Sequence, residues 1–405
     1  MKLHFLLINA VSEALTDIFQ NGKYADKVIE RLLKSNAKWG SRDRAFIAET
    51  TYECVRWMRL YSQLSSSPDK SFQELSKGDV IEIIGIHLVL KSNENIDFKE
   101  FKHLDYTVLK NQLDNISVRK IQSSIPDWMD ELCVSEIGKE KWNAEIKALN
   151  KPADIVLRCN TLKINVKTLT EKLLGVNFET RATPLSKEAL VLKKRGNIFA
   201  SELFKEGFFE VQDAGSQTIA PFLQVEPGLR VVDACAGAGG KSLHLATLMN
   251  NKGTIISMDT EGWKLEELRK RARRNGAHII ETRTIDTTKV VKRLHDSADR
   301  LLLDVPCSGL GVLRRNPDAK WKLKPEFLTE IRNTQAKIIN DYSKIVKVGG
   351  KMVYATCSIL PSENENQVAL FLSHNKNWKQ LDERKITPAE EGFDGFYMAL
   401  LERVS

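Results

Sequence analysis

No Cys-x-x-Cys occurs among the six cysteines, which fall at positions 54, 133, 159, 235, 307 and 357. Neither a zinc site nor a disulfide framework is expected, and a reducing compartment is. No apolar run approaches the ~18 residues of a membrane span. The start, Met1-Lys-Leu-His-Phe-Leu-Leu-Ile8, has too short an apolar core for an export signal and soon meets Glu13 and Asp17. No internal repeat and no low-complexity tail is found. From these absences a soluble, cytoplasmic protein with no metal and no membrane partner is expected; a monomer is expected as well.

What is present is a chain of 405 residues, 42% of them hydrophobic, enough for two or three globular domains. Lys and Arg number 61 against 53 Asp and Glu, a net charge of +8 and a pI near 9.0. That excess favours a polyanionic partner.

Residues 1–135 carry helical periodicity. Leu7, Val11, Leu15 and Ile18 share one face; Val28, Ile29, Leu32 and Leu33 share the next. Ser41 is read as the cap of a third helix dotted with Arg42, Arg44, Arg56 and Arg59. Those arginines form either a solvated face or a surface for RNA phosphates. Residues 80–90 are almost wholly apolar and read as buried. Residues 136–211 read as a small α+β module with strands at 155–160, 189–192 and 207–211. Arg158 and Asn160 at its first strand are either strand-end surface residues or RNA contacts. From 212 to 405 strands alternate with helices, which argues an α/β, doubly wound, Rossmann-like sheet. Its strands are expected at 230–233, 253–258, 282–285, 301–303, 351–355 and 395–401.

Two features of this last domain carry chemistry. The first is Val231-Val-Asp-Ala-Cys-Ala-Gly-Ala-Gly-Gly-Lys241, a strand, a glycine turn and a helix start. Gly237, Gly239 and Gly240 permit a tight turn and close backbone approach to a ligand. It is not the dinucleotide fingerprint, because Ser242 stands where the third glycine belongs. It is not a phosphate-binding P-loop, because Cys235 replaces the first glycine. Asp259, Asp286 and Asp304 follow at the ends of successive strands, suited to ribose hydroxyls and an adenine amino group. Such a nucleoside pocket without a phosphate cradle suits S-adenosylmethionine better than NAD or ATP. The second feature is a pair of cysteines at strand ends, Cys307 in Asp304-Val-Pro-Cys-Ser-Gly309 and Cys357 in Ala355-Thr-Cys-Ser358. Ligands bind outside the carboxyl ends of such strands, so two thiols could face one pocket.

With these motifs, Val211-Gln-Asp-Ala-Gly-Ser-Gln217, Leu313-Arg-Arg-Asn-Pro-Asp-Ala-Lys-Trp321 and Glu363-Asn-Glu365, the sequence resembles the Sun/Fmu (RsmB/Nop) family of RNA cytosine-C5 methyltransferases. The resemblance covers nearly the whole chain. Residues 1–135 resemble a NusB-like RNA-binding domain, most clearly at Asp43-Arg-Ala-Phe46 and Val55-Arg56. Residues 136–211, with Leu157-Arg-Cys-Asn160, resemble a small RNA-recognition-like domain. One departure is Ala238, where the family loop usually carries proline.

The resemblance implies a catalytic set. Cys357 attacks carbon 6 of cytosine, Asp304 holds ring nitrogen 3, and Cys307 assists loss of the carbon-5 proton. It implies a cofactor site of Cys235, Ala236, Gly237, Ala238, Gly239, Gly240, Lys241, Asp259, Asp286 and Asp304 for S-adenosyl-L-methionine. Arg158, Asn160, Arg314, Arg315 and Lys320 are the expected RNA contacts, with Trp321 read as core. The expected substrate is ribosomal RNA, 16S in particular. Transfer RNA, a non-catalytic RNA-binding assembly factor and a Rossmann oxidoreductase are the competing readings.

Overall fold

The computed structural model describes residues 3–405; Met1 and Lys2, which open the segment read as no export signal, lie outside them. The chain divides into two units that do not follow sequence order. The first takes the chain up to Asn150 and then a distant piece, Leu313–Lys324; the second takes Lys151–Val312 and Pro325–Ser405. The expected boundary at residue 135 falls inside the helix Asp127–Ile137. No helix among the described residues is long and apolar enough to cross a membrane.

The first unit is helical. The apolar run at 80–90 lies in the helix Lys77–Ser92, with Val80, Ile83, Ile84, Ile86 and Val89 buried. Ser76 starts this helix. Its hydroxyl accepts the Asp79 N–H, and the Asp79 carboxylate accepts the Ser76 N–H at 2.7 Å, a reciprocal cap worth about 1 kcal/mol. Asn93 ends it in the left-handed conformation, φ 57°. The helix Ser41–Arg56 is capped differently from expectation: Gly40 is the cap, and the Asp43 carboxylate accepts its N–H at 3.1 Å. Three of the arginines along this stretch are structural. Arg44 donates to the carbonyls of Leu33 and Trp39, and Arg59 donates to the Ile125 carbonyl and Asp127. Arg56 is buried and donates to the Arg314 carbonyl at 3.0 Å. Arg42 alone of the four is exposed.

Leu313–Lys324 belongs to the core of this unit. The Trp321 indole N–H donates to the Val55 carbonyl at 2.7 Å, and its ring packs against Phe19 and Phe72. Asp318 accepts the Ala25 N–H at 3.0 Å, and Lys320 Nζ donates to the Arg56 carbonyl at 2.7 Å. The reading of Trp321 as core holds.

The second unit contains two sheets. The smaller uses β1 (Val156–Cys159), β2 (Thr180–Thr183), β3 (Ser186–Leu192) and β4 (Phe209–Val211), antiparallel in the order β2-β3-β1-β4. The larger uses β5 (Arg230–Asp233), β6 (Thr254–Asp259), β7 (Ile280–Thr284), β8 (Ala298–Asp304), β9 (Val346–Thr356), β10 (Trp378–Ile386) and β11 (Phe396–Arg403). Their order is β10-β11-β9-β8-β5-β6-β7. The five from β5 to β9 are parallel, and β11 and β10 add antiparallel at one edge. This is the Rossmann-like, doubly wound sheet expected from the alternation. The strand order reverses between β5 and β8, which places a crevice at their carboxyl ends.

Candidate active site

Chemistry-bearing residues gather at that reversal. β5 ends in Asp233 and β8 in Asp304. β8 and β9 are parallel neighbours in register, Asp304 opposite Ala355. Their following loops therefore leave from the same edge, one carrying Cys307 and the other Cys357. The two sulfurs lie 3.3 Å apart. The hydrogen bond to Cys357, then burial, push the Cys307 thiol well above its ordinary range. Gly311 lets the loops cross closely: its N–H donates to the Cys357 carbonyl at 2.9 Å, and a Cβ there would sit 2.3 Å from the Gly395 carbonyl oxygen.

The glycine turn lies beside this pair. Gly237 and Gly239 both have positive φ, 53° and 83°. A Cβ on Gly239 would stand 2.0 Å from Leu268 Cδ1, so that position demands glycine twice over. Ala238 has no positive φ, so the substitution for proline keeps the backbone compatible. Its carbonyl accepts Arg271 Nη1 at 2.7 Å. Asp259, at the end of β6, accepts the Gly237 N–H at 2.9 Å and the Glu261 N–H at 2.9 Å. Lys241, in the first turn of the helix Gly240–Leu248, reaches Asp304 Oδ2 at 2.5 Å. Burial alone would drive its ammonium down; the Asp304 carboxylate outweighs burial and holds it above its usual value. Cys235 is a different kind of cysteine, its thiol pushed well up by burial and then by the charges of Asp233, Asp304 and Asp259.

Asp233 is wholly buried. Its Oδ2 accepts the Ser242 hydroxyl at 2.6 Å, and Ser242 accepts from Ser257 at 2.8 Å. Burial, against the pull of Ser242, raises its carboxyl to about 7. Its Oδ1 is buried with no hydrogen-bond partner. Asp286 stands exposed two residues beyond β7. An orphaned acceptor, a side-chain-free turn and an acid at each of two strand ends fit a nucleoside ligand with a donor group.

The structure brings Asp304, Cys307, Cys357 and Lys241 together and sets the glycine turn and Asp259 beside them. It does not expose four of the five expected RNA contacts. Arg158 is 1% exposed and Asn160 2%. Arg158 Nη1 donates to the Gly240 carbonyl at 2.6 Å and to Gln212, bracing the glycine turn from β1. Asn160 Nδ2 donates to the carbonyls of Gly207 and Asn275 at 2.7 and 2.9 Å. Arg314 is buried, and Lys320 is 1% exposed. The pull of burial, with Arg56 adding to it, drives the Lys320 ammonium well below its usual value. A phosphate needs an exposed cation, and these four side chains are committed to carbonyls or to the core. Arg315 alone is half-buried.

Sequence reasoning gave no role to Glu363. Its carboxylate is fully buried and accepts from Ser308 and Ser358, the residues that follow the two cysteines. The available signal was the repeated Cys-Ser pair.

Comparison with known proteins bears on the family and the fold. Residues 220–402 match a family described as 16S rRNA methyltransferase RsmB/F, and residues 125–199 match the ferredoxin-like domain of RsmF/B-like methyltransferases. A curated relative is the probable ribosomal RNA small subunit methyltransferase B of Synechocystis sp., 32% identical over 90% of this chain and 88% of that one. The crystal structure of PH0851 superposes with a TM-score of 0.83 at 24% identity, covering 99% of both chains. NSun6 from Pyrococcus horikoshii, solved with SFG, superposes with a TM-score of 0.64 at 21% identity, over 69% of this chain and 98% of that one.

Proposed function

This chain belongs to the RsmB/F family of 16S rRNA methyltransferases, and from that premise we propose that it transfers a methyl group from S-adenosylmethionine to carbon 5 of a cytosine in 16S ribosomal RNA, through a covalent bond between Cys357 and the base. The observation that carries this reading is the thiol pair, 3.3 Å apart beside an aspartate–lysine pair at one sheet edge.

Carbon 5 of cytosine is a weak nucleophile. Addition of the Cys357 thiolate to carbon 6 makes it enamine-like, with ring nitrogen 3 taking up the electron pair. Asp304, entering the step as the protonated acid, gives its proton to that nitrogen, and the Lys241 ammonium stabilises the carboxylate left behind. Gly237, Gly239, Gly240, Asp259 and Asp286 are the residues to hold S-adenosylmethionine, which supplies an electrophilic methyl group when bound. Cys307 assists loss of the carbon-5 proton after transfer. The carbon 6–sulfur bond then breaks and returns the electron pair to Cys357. A cytosine inside a helix cannot present carbon 6 to a thiol, so the base is single-stranded or flipped out.

Bisulfite sequencing of 16S RNA from a strain lacking the gene, beside its parent, tests the proposal. One cytosine protected only in the parent is expected. Methyl label recovered on another base from purified enzyme would overturn it.

A further inference from the structure

Glu363 lies on the short turn Pro361–Glu363, with no exposed surface. One carboxylate oxygen accepts the Ser308 N–H at 2.8 Å and the Gln335 amide at 3.1 Å. The other accepts the hydroxyls of Ser308 and Ser358. The Gln335 amide also donates to the Pro306 carbonyl at 3.0 Å. Pro306 and Ser308 flank Cys307, and Ser358 follows Cys357. All four donors are neutral groups, and together they fill the four acceptor sites a carboxylate offers. The next residue reinforces one side, because the Asn364 amide donates to the Ser358 carbonyl at 3.0 Å.

We propose that Glu363 is a positioning residue: it clamps the Cys307 loop to the Cys357 loop and so sets the separation of the two thiols. The proposal rests on the reading that both thiols act on one cytosine ring. The β8–β9 register brings the loops to the same edge, but the ladder ends at Asp304 and Ala355, before either cysteine. Beyond it the Gly311 N–H to Cys357 carbonyl bond joins the two backbones, and the residues beside each thiol need contacts of their own to keep the spacing fixed. A buried anion is costly to keep, and short bonds to an ionised acceptor are the stiffest hydrogen bonds available. The carboxylate spans both loops with its two oxygens. Behind the Cys357 hydrogen bond and burial, its charge also pushes the Cys307 thiol up.

The conservative variant separates geometry from charge. Glu363→Gln can keep all four contacts. Its carbonyl oxygen takes the Ser308 N–H and Gln335, while its NH₂ donates to the serine hydroxyls, which rotate to accept. Glu363→Ala keeps none.

The experiment measures how fast diamide converts Cys307 and Cys357 to a disulfide in the full-length protein, the two thiols giving up two electrons and two protons. Peptide mass spectrometry identifies the bridge. Glu363→Ala is expected to slow bridging by about tenfold or more, as misplaced reacting atoms do, with binding of S-adenosylhomocysteine unchanged. Glu363→Gln is expected to bridge within about threefold of wild type, since its contacts can all be re-made. In methyl transfer, kcat should fall in Glu363→Ala while KM for RNA holds. A bridging rate in Glu363→Ala equal to wild type, or faster, overturns the proposal. If Glu363→Ala does not fold, Ser308→Ala and Ser358→Ala each remove one hydroxyl from the clamp; unchanged bridging in both overturns it equally. The bridging assay needs no RNA. A wild-type protein that bridges in a Glu363-dependent way but methylates no cytosine would refute the reading of function and leave the clamp standing.

Discussion

Replacing Asp233 by asparagine should change how stability depends on pH, and the sign follows from burial. The wild-type carboxyl is raised from 3.8 to about 7 in the folded protein. Between about pH 4 and pH 7 the folded chain holds a proton there that the unfolded chain has released. Stability therefore falls as pH rises through that window. The contribution is fully present below pH 4 and lost above pH 7. At 1.36 kcal/mol per pKa unit the whole excursion amounts to roughly 4 kcal/mol. Asparagine is neutral throughout and keeps an oxygen for the Ser242 hydroxyl. Its NH₂ takes the place of the unpartnered Oδ1 and faces no acceptor, which costs about 1–2 kcal/mol. Near pH 4 the variant should be weaker than wild type by about 1–2 kcal/mol. At pH 8 it should be more stable by roughly 2–3 kcal/mol, the difference of those two effects. Urea unfolding of the cofactor-free protein, followed at several pH values, reads this directly. Two curves running parallel from pH 4 to pH 8 would refute the reasoning, because the carboxyl would then titrate alike in both states.

Two further substitutions test assignments at the edges of the account. Lys320→Ala leaves the Arg56 carbonyl without its donor and opens a void beside Trp321, a loss of roughly 2–4 kcal/mol. The salt dependence of RNA binding should stay as in wild type, whereas loss of a true phosphate contact would lower its slope by about one. Asp259→Ala removes the acceptor for the Gly237 N–H along with the expected ribose partner. It should weaken S-adenosylmethionine binding by roughly 1.5–3 kcal/mol in calorimetry; unchanged affinity would remove Asp259 from the site.

The strands that build the site were legible because buried parallel strands are short, nearly unbroken apolar runs, and each of β5, β6 and β8 ends in an aspartate. Strand β10 was not, because only its end residues, Trp378 and Ile386, are buried. An edge strand of that kind has no apolar signature. The segment Leu313–Lys324 misled for a different reason. Arg314 and Lys320 stand among polar residues and read as a basic surface. What buries Lys320 is the Arg56 carbonyl, 264 positions away. No local pattern encodes such a partner. Arg158 and Asn160 repeat the lesson, since their acceptors Gly240 and Asn275 lie in another part of the unit. Glu363 was in view, within a quoted motif, yet its meaning depends on two loops meeting. The cysteines themselves needed no structure to be noticed, only to be shown 3.3 Å apart.

The central claim is that Cys357 attacks the base and Cys307 completes the reaction. Denaturing gel electrophoresis after incubation with S-adenosylmethionine and 16S RNA tests it most directly. Cys307→Ala leaves attack and methyl transfer in place but impairs proton removal, so the methylated base should stay bonded to Cys357 as a protein–RNA band. Cys357→Ala should give no band, and neither should the double variant, because trapping requires the first step. A stable band in Cys357→Ala, absent from Cys307→Ala, would mean that the Pro306-Cys307 thiol is the nucleophile and would contradict the account.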